Sequence, residues 1–180
     1  RNRIARLNPN GTMDRSFNPG DGFDATVYTI LQDTDTSRRV SDEFGNPGGG
    51  APIPNPDHLK IYAAGLFHEF DEVRRHGLAR LKSNGMLDTT FMDNSFNQFA
   101  GIPRSAAQEP RNFIRSLSLT SDKDLYISGS FKLVGGGYNN FQKSPQNNIT
   151  RIVGNRYGHY PVGGGFFVDS GVTRGPGSVG

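Results

Sequence analysis

IARLNPNGTMDRSF, from Ile4 to Phe17, returns as LARLKSNGMLDTTF, from Leu78 to Phe91, in register and without a gap. A stretch this long that recurs with its Arg, Asn-Gly, Asp and Phe in place makes the chain a repeat protein. Two further pairs follow in the same order: KIYAAGLF (Lys60 to Phe67) with DLYISGSF (Asp124 to Phe131), and VYTI at Val27 with IRSL at Ile114. Function is therefore to be sought in an array and not in one pocket.

Around these pairs, short apolar segments with period two, bounded by Gly, Pro, Asn and Asp, read as strands. The spacing predicts strands at Val27 to Gln32, Lys60 to Phe67, Gly77 to Lys82, Phe113 to Leu119, Asp124 to Phe131 and Asn148 to Val153. TSDKD between Leu119 and Leu125 reads as a tight hairpin connection, and the equivalent place in the first unit holds a long insertion, 33–58, rich in Gly, Pro and charge. Such a segment belongs outside the core. A second insertion, Asp93 to Asn112, carries Phe96, Phe99 and Ile102 and is expected to pack on something. The units then run 1–22 (the end of a preceding unit), 23–95, 96–155 with its N-terminal insertion, and a Gly-rich arm or linker at 156–180.

Twenty-four Gly and eleven Pro in 180 residues, with many Asn and Asp, favour short strands and turns over long helices, so the fold class is all-β. One-third hydrophobic residues suffice for a modest core. The net charge of +3 is spread along the chain, without the basic stripe of a nucleic-acid binder. Its densest basic stretch, Arg74, Arg75 and His76, reads as a solvated loop tip. There is no Cys, which excludes disulfides, thiol chemistry and Cys-based zinc sites. No apolar run approaches the roughly 20 residues that span a bilayer. The first residue is Arg1 and a strand follows almost at once, so residues upstream are expected.

Within the repeat, each residue type has a physical role. Asn10-Gly11 and Asn84-Gly85 are turn signals in which both positions tolerate positive φ. Alternation sends Leu78 and Arg80 to one face of their strand and Ala79 and Leu81 to the other, with Ile4 to Leu7 arranged alike. Arg6, Arg80 and Arg151 share one position, where an Arg braces neighbouring sheets through carbonyls or through Asp14 and Asp88. Gly65 and Gly129 permit a bulge or close backbone approach, and Phe67 and Phe131 then fill the inter-sheet core; Phe17 and Phe91 are the repeated positions that end their motif. The Asn-Gly-x-x-Asp spacing lacks the alternating carboxylates and distal Glu of a calcium loop and reads as turn chemistry.

These residues, RIARLNPNGTMDRSFNPGDGFDATVYTI with KIYAAGLF and GLARLKSNGMLDTTF, resemble the delta-60 repeat, a β-propeller-like repeat of bacterial surface and some phage-associated proteins. The resemblance runs from Arg3 to about Val153, and its third copy, NITRIVGNRYG, lacks the Asn-Gly-x-x-Asp part. It implies propeller-type blades of short antiparallel strands. A closed propeller takes roughly 4 to 8 blades, so this chain is expected to be an incomplete arc whose open edges other subunits, or further parts of the same polypeptide, complete. The family pattern brings no catalytic residues, and fold alone does not give function.

The residues offer little chemistry of their own. His58, His68, His76 and His159 lack metal-site spacing. His68, Glu69 and Asp71 are the candidates for a small-ligand or acid–base site in an enzyme or accessory subunit. The Gly runs at 48–50, 135–137 and 163–165 lack the partners of a phosphate loop, and no Gly-x-Ser-x-Gly elbow is present. Tyr138, Tyr157 and Tyr160 would stack on a glycan, and Tyr157, Tyr160 and Phe166 to Val168 would supply a last strand. The expectation is a non-enzymatic module without cofactor or metal. It would sit in an extracellular, cell-surface or virion-like assembly and bind other protein subunits through its inserted loops.

Overall fold

A computed structural model of the protein describes residues 2–38, 53–54, 58–91, 93–94, 97–98, 112–121, 123–135, 143–145, 147–153 and 167–168. All regular structure among them is β. One sheet is a three-stranded antiparallel meander of β1 (Val27–Gln32), β2 (Ile61–Gly65) and β3 (Leu78–Leu81), extended by a single bridge from Leu81 to Leu87. The other has four antiparallel strands in chain order, β4 (Phe113–Leu119), β5 (Leu125–Ser130), β6 (Ile149–Val153) and β7 (Phe167–Val168). Two-residue ribbons pair Glu69–Phe70 with Val73–Arg74, Ser37–Arg38 with Ile53–Pro54, and Asp93–Asn94 with Asn97–Gln98.

The two sheets are copies down to their irregularities. Val27 pairs with Gly65 and Ile114 with Gly129, and in both sheets the register slips at the next residue, Tyr28 or Arg115. The glycines are required there. A Cβ at Gly65 would lie 2.1 Å from the Thr26 carbonyl oxygen, and one at Gly129 would lie 2.1 Å from that of Phe113. The bulge residues meet across the sheets, with the Arg115 guanidinium 4.9 Å from the centre of the Tyr28 ring.

Both faces of the first sheet are covered, which explains why β2 and β3 are almost wholly buried instead of alternating. Ala63, Ala79 and Leu81 pack with Phe17, Phe23, Phe67 and Phe70 on one side. On the other, Tyr62, Ala64, Leu78 and Phe91 join Ile114, Leu125, Ile127, Phe131 and Ile152 of the second sheet. The sheets stack as successive layers, and residues 4–17, the end of the preceding unit, contribute the layer before them. The rings interlock edge-on, with Phe23 4.7 Å from Phe70 and Tyr62 5.5 Å from Phe91.

The hairpin necks also match. In the second sheet the Thr120 N–H donates to the Asp124 carbonyl and Lys123 N–H to that of Thr120. In the first, Asp33 N–H donates to Lys60 and Leu59 N–H to Asp33. Leu59 and Lys123 both sit at positive φ, 62° and 68°. The long insertion therefore leaves and rejoins a closure that elsewhere needs only Ser121 and residue 122.

Candidate functional site

The most developed polar arrangement among the described residues is the repeated motif itself. Its turn is a three-residue hairpin loop. Asn8 N–H donates to the Thr12 carbonyl and Gly11 N–H to that of Asn8, and Lys82, Met86 and Gly85 repeat the pattern. Only the glycines take positive φ, 82° at Gly11 and 91° at Gly85. Asn10 and Asn84 do not share it, contrary to the expectation from sequence. Each instead turns its side-chain oxygen toward the backbone two residues on, accepting from Thr12 N–H at 3.1 Å and Met86 N–H at 3.2 Å. A type I turn followed by a left-handed Gly has this division of labour.

The turn brings the following Asp beside the Arg of the preceding strand. Arg80 Nε donates to Asp88 Oδ2 at 2.8 Å and Arg6 Nε to Asp14 Oδ2 at 2.7 Å. The other carboxylate oxygen accepts the hydroxyl and N–H two residues on, at 2.6 and 3.1 Å from Thr90 and at 2.7 and 2.8 Å from Ser16. The guanidinium then lies over the last Phe of the motif, 4.8 Å from Phe91 in one copy and 5.0 Å from Phe17 in the other.

Environment separates the two copies. Arg80 and Asp88 are buried, and Lys60 Nζ adds a second cation 2.9 Å from Asp88. Burial pushes the Asp88 carboxyl up, but the Thr90 hydroxyl, the Arg80 charge and Lys60 outweigh it and hold the pKa at about 2. Asp14 is also held at about 2, chiefly by the Ser16 hydroxyl and N–H and then by Arg6. Arg151, third in the series, has no such Asp. Its Nη1 lies 3.6 Å from Asp124 Oδ2, so the position keeps its cation while the anion comes from another strand end.

The motif also ties one unit to the next. Arg6 Nη1 donates to the Ser83 carbonyl at 2.6 Å and Asn18 N–H to that of Asn84 at 2.6 Å, so the end of the preceding unit grips the turn of the next. A second tie joins the hairpin tips. Lys123 Nζ, buried, donates to Asp33 Oδ1 at 2.8 Å and Asp35 Oδ2 at 2.5 Å at the root of the insertion. Nothing in the sequence announces this cluster, because its members lie about ninety positions apart and the necks must first be aligned.

The ligand candidates take up structural positions. His68 and Glu69 donate their backbone N–H groups to Asp24 Oδ1 at 2.8 and 2.9 Å, while the Glu69 side chain is exposed beside its cross-strand partner Arg74. These two bonds offset burial and lower the Asp24 pKa. Asp71 Oδ1 accepts the Asp21 N–H at 2.9 Å, pinning the loop that precedes β1. Asp71 and Glu72, both at positive φ, form the two-residue turn of their ribbon. Arg74 is exposed, but Arg75 is only 3 % exposed, so this basic stretch is not the solvated tip read from the sequence. Arg75 N–H donates to the His68 carbonyl and its side chain is buried.

The fold brings together two histidines that the sequence keeps apart, His68 and His76, with ring centres 5.5 Å apart, and His68 Nδ1 is 3.6 Å from Asp24 Oδ2. Among the described residues no three His, Asp or Glu side chains converge as metal ligands. Tyr138, Tyr157, Tyr160, His159, Phe96, Phe99 and Ile102 lie outside the described residues. Among the described residues no helix is long and apolar enough to cross a membrane.

A family model described as a domain of unknown function (DUF5122), beta-propeller, matches residues 1–17 and 60–91. The repeat is of the β-propeller type. The matched stretches carry both copies of the Arg–Asp–Phe brace, and the gap between them contains β1 and the insertion. With its all-β sheets stacked as layers, the chain has the architecture of an incomplete propeller arc. No curated protein and no solved structure matches the chain.

Proposed function

We propose that this chain is a non-enzymatic structural or binding module, a delta-60-type arc within a larger extracellular, cell-surface or virion-like assembly. It contacts partner subunits through its inserted loops. The observation that carries this reading is where the polar chemistry goes. Arg6, Arg80, Asp14, Asp88, Lys123 and Asp33 all hold one unit to itself or to the next. The Arg and Asp of the brace recur between units and serve what those units share, whereas the insertion rooted at Asp33 and Leu59 is present in one unit alone. Loops mounted on a braced scaffold are where recognition concentrates.

The test exploits the matching necks. A variant with residues 34–58 replaced by Ser-Asp, the connection used at the second neck, is compared with the intact chain by crosslinking in extracts of the source cells. Both are expected to fold with similar melting profiles, and only the intact chain is expected to crosslink to partner subunits. Turnover by the intact chain that Glu69→Ala or Asp71→Ala abolishes without unfolding would overturn the reading.

A further inference from the structure

The cluster of Lys123, Asp33 and Asp35 stands outside the repeat pattern. In the second neck the place of Asp33 is taken by Thr120, and in the first the place of Lys123 is taken by Leu59, which is 41 % exposed. The amine and the carboxylate meet only because two unlike necks lie side by side, although they are ninety positions apart in the chain.

Burial divides the three groups. Lys123 is 4 % exposed and Asp33 1 %, an uncommon place for an ammonium, whereas the Asp35 side chain is 51 % exposed. Lys123 Nζ lies 2.8 Å from Asp33 Oδ1 and 2.5 Å from Asp35 Oδ2. Asp33 Oδ1 also accepts the Asp35 N–H at 3.1 Å, and the Asp35 carbonyl lies 2.9 Å from His58 Nδ1. The backbone thus holds both carboxylates about one amine. A nucleophile, an electrophile and a second carboxylate to move protons are what the condensation of an amine with a carboxyl needs.

We propose that Lys123 and Asp33 form an intramolecular isopeptide bond, with Asp35 as the proton carrier. Asp35 Oδ2 takes a proton from Lys123 Nζ, and the nitrogen lone pair adds to Asp33 Cγ. The charge that develops on Asp33 Oδ1 is met by the Asp35 N–H. Asp33 Oδ2 then departs as water, with the two protons that Nζ gives up through Asp35. One C–N bond forms, one C–O bond breaks, nothing is oxidised or reduced, and Asp35 ends as the carboxylate it was at the start.

Two physical effects favour the bond. Groups held at contact react as though present at roughly 10⁵–10⁸ M, far above what separate amines and carboxylates reach in water. Each buried ion also carries a desolvation penalty. Condensation replaces the two buried charges with a neutral amide and leaves charged only the half-exposed Asp35. Until the bond forms, the groups make the ion pair described above. Once formed, it fastens the root of the insertion covalently to the next unit. The reaction consumes its own side chains once per chain and involves no turnover, so it does not depend on the module reading.

The test is the intact mass of the full chain read after denaturation in acid, which separates ions but leaves an amide whole. The folded chain is expected to weigh one water less than its sequence. Trypsin is expected to leave Lys123 uncut and to release a branched peptide that joins it to Asp33. Lys123→Arg keeps the cation without a primary amine, and Asp35→Asn keeps the Lys123–Asp33 pair without the carrier; both are expected to fold and to retain the full mass. Asp33→Asn is expected to lose ammonia in place of water, because its leaving group is nitrogen.

A wild-type mass equal to that of the sequence would overturn the proposal, and this measurement needs no variant to fold. A water loss that persists in Lys123→Arg would also overturn it, by placing the loss at other side chains. A branch at Asp35, or a folded Asp35→Asn that still loses water, would overturn the roles assigned to the two carboxylates. The module reading is tested separately, through the crosslinks of the 34–58 loop.

Discussion

Asp88→Asn and Asp14→Asn make the same chemical change in the same motif, and the structure gives them different consequences. At Asp88 the substitution leaves Arg80, 3 % exposed, and Lys60 without the carboxylate that both contact. Removing one member of a buried pair costs about 3–5 kcal/mol. The lower end applies, because Arg80 keeps Thr90 Oγ1 at 3.4 Å, Tyr62 Oη at 3.5 Å and the Phe91 ring. For a chain of 180 residues, about 3 kcal/mol lowers Tm by about 9 °C. At Asp14 the partners are solvated, so the midpoint should not move beyond error.

Acid distinguishes the two further. The Asp88 carboxyl sits at about 2 against an ordinary 3.8, a gap worth about 2 kcal/mol. Its folded pKa is depressed, so this stabilisation is complete above about pH 5 and is lost as pH falls toward 2. The wild-type chain should lose that much more than Asp88→Asn over this window. The assay is urea unfolding followed by tyrosine fluorescence, since the chain has six Tyr and no Trp. Equal midpoint shifts for the two variants, or parallel pH profiles for wild type and Asp88→Asn, would refute the argument that burial makes one brace matter more.

Four other measurements follow from the same geometry. Gly129→Ala forces a Cβ against the Phe113 carbonyl and should cost about 3 kcal/mol in thermal melts, as overpacking does. Gly11→Ala meets no atom and should cost about 1 kcal/mol, from its positive φ alone. Lys123→Met removes the cation from the buried Asp33 carboxylate, which keeps the Asp35 N–H at 3.1 Å, and should lose about 3 kcal/mol in urea unfolding, with Lys123→Met/Asp33→Asn recovering part of it. Glu69→Ala, at an exposed side chain, should stay within about 0.5 kcal/mol of wild type by the same method.

The strands were legible because each is a short apolar run ending in turn residues, and the repeat fixed their order. The glycines of β2 and β5 were legible for the same reason, since a glycine kept at one place in two otherwise different strands marks a backbone constraint. Arg75 was misread because composition alone makes a basic stretch look solvated, whereas the fold buries Arg75 and leaves its neighbour Arg74 exposed. Asn10 and Asn84 were misread in their role: Asn-Gly permits two turn geometries, and the extra loop residue before the Asn, Pro9 or Ser83, decides between them.

By itself the sequence determined that this protein is a repetitive all-β chain, which residues each unit shares, and where one unit is interrupted. Those properties follow from local periodicity and from self-comparison, which need no coordinates. Only the tertiary structure decided that Arg80 is buried while Arg6 is solvated, that Lys123 reaches Asp33 and Asp35, that His68 meets His76, and that Leu7 lies open where Leu81 is closed. Each depends on which layer lies against a face, and identical motifs acquire different environments when one has a neighbour and the other does not.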